Sequence, residues 1–300
     1  MTVRHAPLVL AAAAMAFVAA IAIQNLRDRA YPRELRETER LLYVRSGPAM
    51  RRLALSYDAL AADVYWFRAV QHYGGDRLTR GPGWQRYELL YPLLDLTTSL
   101  DPYFTIAYRF GAIFLSEPYP GGAGRPDQAV ALLRKGIAAQ PAKWQYYHDT
   151  AFVYYWHLRD FAAAAAWFQR AAGQPGAPNW LAPVAASMLA RGGDRTSARF
   201  LWQQILESDQ TWLRRTAERS LLQLDAMDKI DDIEAAIRRN PLPSGGIYSW
   251  DALARRGSLP GVPLDPTYTP FAIDPLTGRV TVSERSTLFP MPDDLSRAGQ

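Results

Sequence analysis

The sequence predicts an all-α protein with a small Pro-rich carboxyl-terminal module, and three observations support this prediction. The 300-residue chain is 49% hydrophobic and 21% charged, which is the composition of a globular protein. Four segments between residues 87 and 209 repeat the apolar spacing of an amphipathic helix, and three of them end at a proline. After Asn240 nine of the 22 prolines fall in the last 60 residues. This shift predicts a separate Pro-rich module over residues 241–300.

The amino-terminal segment predicts a membrane anchor. Residues 6–23 are 18 consecutive uncharged positions, which as a helix would span about 27 Å, close to the hydrocarbon thickness of a bilayer. We expect a cytoplasmic leader over residues 1–5, a signal anchor or transmembrane helix over 6–25 and a charged juxtamembrane segment over 26–52. A cleaved signal peptide is the alternative, with Ala20-Ile21-Ala22 as a small-residue cleavage site. Arginines flank both ends, so orientation rests on the short leader, which favours a cytoplasmic amino terminus.

The four repeated segments align on one position of each helix. They cover residues 87–102, 127–141, 161–175 and 195–209. The aligned positions are separated by 39, 35 and 34 residues and are Leu90, Ala129, Ala164 and Ala198. Four residues later a large side chain follows in each: Leu94, Leu133, Phe168 and Trp202. Three further on the side chain is mostly small: Thr97, Gly136, Ala171 and Ile205.

This spacing resembles the tetratricopeptide repeat (TPR), a helix–turn–helix unit of about 34 residues. The helices that precede the segments fit as well, since Phe110-Gly111 followed by Phe114 gives a large–small pair and a later aromatic residue. The resemblance implies about four TPR-like helical hairpins over residues 53–240, stacked as an α-solenoid because no single unit buries its own face. The whole layout resembles uncharacterised bacterial membrane-anchored TPR proteins, which implies an architecture and an envelope location but no catalytic residues.

The two ends of the helical region are less regular. A long first helix is predicted from Leu55 to Tyr73, paired with the helix that begins near Tyr87. A terminal pair of helices, Thr211 to Leu224 and Lys229 to Asn240, is predicted to cap the stack.

The carboxyl-terminal module is predicted to contain one short helix and a β-hairpin. Ser249 is expected to cap a helix beginning at Trp250, and Gly257 lies just past its end. The turn Asp274-Pro-Leu-Thr-Gly278 separates two short strand-like runs, with Gly278 supplying a positive φ. Asp265 lacks the alternating oxygen ligands of a calcium loop, so turn formation is the interpretation for it and for Asp274.

Composition excludes several kinds of chemistry. The chain has no cysteine, so disulfides, thiolate metal sites and a catalytic cysteine are excluded. It carries 34 basic and 29 acidic residues, but its arginines are scattered among acidic neighbours, so we expect no nucleic-acid partner.

Nucleotide-binding and hydrolase motifs are missing from the sequence. The glycine-rich run Gly121 to Gly124 lacks the lysine of a phosphate loop and is interpreted as a flexible turn. No metal and no cofactor are expected.

The best catalytic candidate is a group of four polar residues around one predicted helix: His148, Asp149, His157 and Asp160. His148 and His157 lie about 180° apart on a helix, so they cannot share one metal ion without distortion. A hydrolase centred on His148 and Asp149 stays open as an alternative, provided both side chains meet a third polar group in a pocket.

The main hypothesis is a non-catalytic scaffold that binds a protein or peptide in a concave groove. The resemblance implies that the first helix of each unit lines this groove. Aromatic side chains with a few charged ones would suit an extended peptide or a partner helix. The predicted groove residues are Asp63, Trp66, Arg68, Tyr108, Tyr146, Asp149, Trp156 and Trp180. We expect the protein in the bacterial inner membrane, with most of the chain in the periplasm.

Overall fold

The computed structural model describes residues 14–23, 25–26, 47–78, 87–243 and 246–292. Within them the predicted all-α class is confirmed. Residues 14–23 and 25 of the expected anchor, and residue 26 directly after it, are helical and exposed. The rest of that anchor, the leader and most of the juxtamembrane segment lie outside the described residues. Among the described residues, no helix combines the length and the apolar character needed to cross a membrane.

The helical region follows the predicted order of elements. In chain order the helices are α1 (Gly47–Leu53), α2 (Asp58–Leu78), α3 (Leu90–Leu100), α4 (Thr105–Ser116), α5 (Pro126–Ala139), α6 (Trp144–Val153), α7 (Phe161–Ala172), α8 (Leu181–Arg191), α9 (Arg195–Leu206), α10 (Thr211–Arg239) and α11 (Trp250–Arg255). A single π-helical turn, Tyr154–Leu158, continues α6. Helices α2 to α10 each pack against their neighbours in sequence. Within this set, helices two apart also touch: α3 with α5, α4 with α6, and α8 with α10.

The aligned positions of the four repeated segments all lie in the core. These segments form α3, α5, α7 and α9. The small, large and small positions are buried in every one of them: Leu90, Ala129, Ala164, Ala198, Leu94, Leu133, Phe168, Trp202, Thr97, Gly136, Ala171 and Ile205. The periodicity therefore identified the buried side of each of these helices correctly.

Local capping explains where the later helices begin. Asp160 accepts a hydrogen bond from the backbone N–H of Ala163 and caps α7, and Asp194 does the same for Ser197 in α9. Such caps satisfy backbone donors that have no partner inside the helix.

The helix that was predicted from Leu55 to Tyr73, which is α2, both starts and ends later than predicted. Leu55 and Ser56 have φ of 48° and 74°, in the left-handed region, so the chain turns there and α2 begins at Asp58. The helix then continues to Leu78 rather than ending at Tyr73. It packs on α3, as expected for the pairing with the helix near Tyr87.

The predicted terminal pair of helices is wrong, because α10 is one helix of 29 residues. The residues between Leu224 and Lys229 contain no proline or glycine that would end a helix. Ion pairs also support this stretch, since Arg199 contacts Asp225 at 2.5 Å and Asp228 at 2.7 Å.

The carboxyl-terminal module has the predicted helix and hairpin. Ser249 caps α11, and Gly257 after its end has φ of 74°. The strands β1 (Ala272–Ile273) and β2 (Val280–Thr281) pair antiparallel, and Gly278 has φ of 73°. The module packs against α10 through a core formed by Ile230, Ile233, Ile237, Leu253, Phe271, Val280, Val282 and Leu288.

The two aspartates of this module stabilise turns. Asp274 accepts hydrogen bonds from the backbone N–H groups of Leu276 and Thr277. Asp265 is buried and accepts from the backbone N–H groups of Thr267 and Thr269. Both contacts agree with the turn-forming interpretation.

Two helical glycines should respond oppositely to alanine. Gly74→Ala should raise the free energy of unfolding by about 0.5–1 kcal/mol, because nothing lies within 4 Å of the added Cβ and alanine favours helix. Gly136→Ala should lower it by about 1–3 kcal/mol. Its Cβ would lie 3.0 Å from the ring of Tyr108 and 3.2 Å from that of Tyr146. Urea unfolding followed by circular dichroism measures both, and equal stabilisation would contradict the close contact.

Asp265 should make the stability of the module sensitive to acid. Burial raises its pKa, but hydrogen bonds from Ser286, Thr269 and Thr267 outweigh burial and hold the pKa below its usual value. A lowered pKa stabilises the fold above the unfolded-state value of about 3.9 and loses that effect as the pH falls through the folded-state value. Asp265→Asn should therefore destabilise the protein at pH 7, and its difference from wild type should shrink below about pH 4.

The measurement is urea unfolding at several pH values between 3 and 7. Asp209→Asn, in an exposed loop, is the matched control and should change the free energy of unfolding by less than about 0.5 kcal/mol. A difference between wild type and Asp265→Asn that stays constant across this pH range would contradict the assignment.

Candidate functional site

Three alternate helices, α2, α4 and α6, carry rows of large apolar side chains that are exposed. Within each of α2 and α4 the exposed residues are spaced i, i+4, i+7, which places them on one stripe of the helix. Their exposed fractions lie between 44% and 62%. We call this set the exposed apolar face; it consists of Leu60, Val64 and Phe67 on α2, Ile106, Phe110 and Ile113 on α4, and Phe152 and Trp156 on α6 and its π-helical turn.

On α4 the exposed row lies opposite the core. Tyr108, Ala112 and Leu115 form the buried side. An α-helix turns about 100° per residue, so Phe110 lies about 200° around the axis from Tyr108. The helix is therefore apolar on both sides, and only one of them is covered.

Side-chain contacts place the three helices next to each other. The ring of Trp66 on α2 lies 6.2 Å from that of Phe114 on α4 and almost parallel to it. Arg109 on α4 pairs with Asp149 on α6. These contacts join the surfaces of the helices that lie between the exposed row and the buried side. The three exposed rows are therefore next to one another and face the same direction.

The ion pair between α4 and α6 has good geometry. The Nε of Arg109 donates to Oδ2 of Asp149 at 2.6 Å, and its Nη2 donates to Oδ1 at 3.2 Å. This hydrogen bonding raises the pKa of Arg109 above its usual value, so the side chain is fully charged. A two-point contact of a guanidinium with a carboxylate fixes orientation as well as distance. The pair therefore sets how the rows on α4 and α6 are aligned.

His148 lies beside this pair within a group of aromatic rings. Its Nδ1 is 2.9 Å from Oδ1 of Asp149. The rings of Trp144, Phe168 and Trp180 surround the imidazole edge-on at 6.0, 5.7 and 5.7 Å. Trp180 is at the start of α8, so this cluster also connects α6 to the next helical pair.

A second polar cluster holds the loop that follows α4. Tyr73 donates to Oε2 of Glu117 at 2.5 Å, and Arg77 contacts the same oxygen at 2.6 Å. Burial, and then the carboxylate of Glu117, raise the pKa of Tyr73 to about 12. The glycine-rich run is part of an ordered turn, since the N–H of Gly124 donates to the carbonyl of Glu117 at 2.9 Å. The run therefore lies in a turn, as interpreted from the sequence, and this turn is hydrogen-bonded.

Two of the predicted groove residues are core residues. Tyr108 and Tyr146 are both 0% exposed, and their rings contact each other at 5.3 Å. Their placement in a groove is wrong, because they face the second helices rather than solvent. On α4 the repeat pattern assigned the groove position to Tyr108, whereas the exposed residue is Phe110, two residues further on. Two residues correspond to about half a turn of the helix.

The other predicted residues lie at or near the exposed apolar face. Trp156 belongs to it and stacks on Phe152 with ring centroids 6.1 Å apart. Asp63 is exposed on α2. Four others are only partly exposed or border the face: Trp66, Arg68, Asp149 and Trp180.

The sequence reasoning missed most of the exposed apolar face. Ile106, Phe110 and Ile113 give α4 a second apolar stripe in addition to the buried one. That excess of apolar residues was the available signal, because a helix with one buried side needs only one stripe. Phe152 was missed for the same reason.

The four polar residues considered for catalysis do not form one cluster. Asp160 caps α7. His157 lies close enough to Glu117 for the two side chains to interact electrostatically. Burial lowers the pKa of His157, while Glu117 opposes this shift. His148 and Asp149 do meet a third polar group, but it is the guanidinium of Arg109, which occupies both carboxylate oxygens. Over the described ranges no group of three or more His, Asp or Glu residues could hold a metal ion.

Comparison of the chain with known protein families, curated proteins and solved structures gives no match. The geometry of the described residues therefore carries the functional argument.

Alanine substitutions at two residues of α4 should distinguish a core position from a position on the exposed apolar face. Tyr108→Ala should lower the free energy of unfolding by about 3–5 kcal/mol, because it empties a fully buried aromatic site. Phe110→Ala, only two residues away, should lower it by less than about 1 kcal/mol, since about half of that side chain is already in solvent. Denaturant unfolding of the two variants tests the assignment, and similar losses would contradict it.

Proposed function

We propose that this protein is a non-catalytic scaffold that binds a protein or peptide partner across the exposed apolar face. The observation that carries the proposal is the set of eight large apolar side chains on three adjacent helices. Contiguous exposed apolar surface of this kind is uncommon on monomeric proteins and commonly marks an interaction site.

The proposed architecture is a TPR-like solenoid of four helical hairpins: α2–α3, α4–α5, α6–α7 and α8–α9. Contacts between equivalent helices of successive hairpins support it. Among first helices these are Trp66 with Phe114 and Arg109 with Asp149. Among second helices, Lys135 contacts Asp95 at 2.6 Å. In this arrangement α10 closes the stack, and the exposed apolar face becomes the concave surface.

The chemistry of the face favours an amphipathic helix as the ligand. Neighbouring helices are about 8–10 Å apart, so the rows form parallel ridges of apolar side chains. A helix presenting apolar residues at i, i+3, i+4 and i+7 could lie across them. The stacked rings of Phe152 and Trp156 supply a rigid aromatic contact of the type that dominates binding energy.

The proposed location is the bacterial inner membrane, with residues 6–25 as the anchor and the helical region in the periplasm. The 18 uncharged residues of positions 6–23 support it. If the segment is instead removed at Ala20-Ile21-Ala22, the same surface belongs to a secreted periplasmic binding protein. The amino-terminal residue of the mature protein distinguishes the two.

Binding should depend on the exposed apolar face and not on exposed aromatic residues in general. Phe110→Ser with Phe152→Ser removes one ring from each of α4 and α6 and should weaken partner binding at least about tenfold. Phe200→Ser is the matched control, because Phe200 is similarly exposed but lies on the second helix α9. It should leave binding unchanged.

The experiment is site-specific photocrosslinking from Ile113 in native membranes to identify the partner, followed by titration of that purified partner against the variants. All variants are first checked for native helicity. Full affinity of the folded Phe110/Phe152 double variant would overturn the proposed function.

A further inference from the structure

The end of α1 and the turn that follows it hold three large apolar side chains in solvent. Leu53, Leu55 and Tyr57 are 61%, 78% and 70% exposed. The backbone at Leu55 and Ser56 is in the left-handed region, which is unfavourable for residues other than glycine. Such a conformation persists only where the surrounding structure enforces it, and here its effect is to display apolar groups rather than bury them.

These side chains continue directly into the apolar row of α2. With Leu60, Val64 and Phe67 they make six exposed large apolar residues between positions 53 and 67. We call these six residues the amino-terminal apolar edge. The core does not need them, because α2 already packs through the opposite side, with Ala62, Tyr65 and Ala69 buried.

The charges next to this edge are arranged as in a segment that lies on a bilayer surface. Arg51 and Arg52 are exposed at the end of α1, and residues 47–57 contain no acidic residue. Two acidic residues follow within the edge: Asp58, which is half-buried in the first turn of α2, and Asp63, which is exposed on the flank of the apolar row. Apolar and aromatic side chains flanked by arginines bind at the boundary between headgroups and acyl chains, and arginines attract anionic lipids.

The covalent chain keeps this edge close to the proposed anchor. Residues 26–46, which number 21, separate the end of the anchor from Gly47. Even a fully extended chain of this length reaches only about 70–75 Å. A weak contact with the bilayer then becomes an intramolecular one with a high effective concentration. This step rests on the membrane anchoring proposed above.

We propose that the amino-terminal apolar edge lies on an anionic phospholipid bilayer. Leu55, Tyr57 and Phe67 enter the boundary between headgroups and acyl chains, and Arg51 and Arg52 contact lipid phosphates. In this arrangement lipid covers the α2 row of the exposed apolar face. The partner of the proposed function then contacts the remaining five residues of that face, on α4 and on α6 with its π-helical turn, and the edge orients the helical region relative to the membrane.

The absence of cysteine makes a direct test possible. Leu55→Cys and Phe67→Cys each give a single labelling site for an environment-sensitive fluorophore in the full chain, and Phe200→Cys on α9 is the control. The labelled proteins are reconstituted into vesicles of neutral lipid with phosphatidylglycerol. We expect a blue shift and quenching by nitroxide-labelled lipid at positions 55 and 67, and neither effect at position 200.

Solvent-like emission at positions 55 and 67 in protein that co-floats with the vesicles would overturn the lipid contact while leaving the anchor intact. Failure of the chain to float at all would overturn both the anchor and the lipid contact. A blue shift without quenching by nitroxide lipid would indicate that protein covers the edge, in this purified system a second copy of the chain, and would also overturn the proposal. Equal quenching in neutral and anionic vesicles would overturn the role given to Arg51 and Arg52.

Discussion

The close packing of Gly136 against Tyr108 and Tyr146 is the contact on which the central part of the structure depends. The two tyrosines come from successive first helices, and the missing side chain of Gly136 on α5 leaves room for both rings. Each hydroxyl group has a polar neighbour: Gln140 donates to Tyr146 at 2.9 Å, and Tyr108 lies 3.4 Å from the carbonyl of Thr98. Since these rings turn inward, the residues on the opposite side of α4 and α6 must face solvent. The α4 and α6 rows of the exposed apolar face therefore follow from this core contact.

At the other end of the helical region, ion pairs add to the apolar packing between α9 and α10. Arg195 and Arg199 on α9 contact three aspartates of α10: Asp225, Asp228 and Asp231. Further along, α10 turns a different side to the carboxyl-terminal module. There Gln223 donates to the carbonyls of Leu288 and Pro290, at 2.8 and 3.0 Å. One long helix thus covers the last hairpin with one side and holds the hairpin module with the other.

Much of the fold could be predicted from the sequence, because its signals are local. Helix periodicity identified α3, α5, α7 and α9, and the caps at Asp160, Asp194 and Ser249 are side-chain contacts within a few residues. The orientation of the first helices could not be predicted in the same way. In α4 almost every position is apolar, so the pattern alone does not distinguish the side of Tyr108 from that of Phe110. Only contacts with distant helices decide which stripe is covered.

The π-helical turn at Tyr154–Leu158 affects how the exposed apolar face could change in evolution. A π-helical turn accommodates one more residue than an α-helical turn, so it is commonly equivalent to a single-residue insertion. Here the turn lies after the last buried residue of α6, Val153, and includes Trp156. Deletion of one residue would spare the core contacts of α6 but rotate the indole to another direction. At this point chain length, rather than the choice of amino acid, determines which side chain joins Phe152 on the surface.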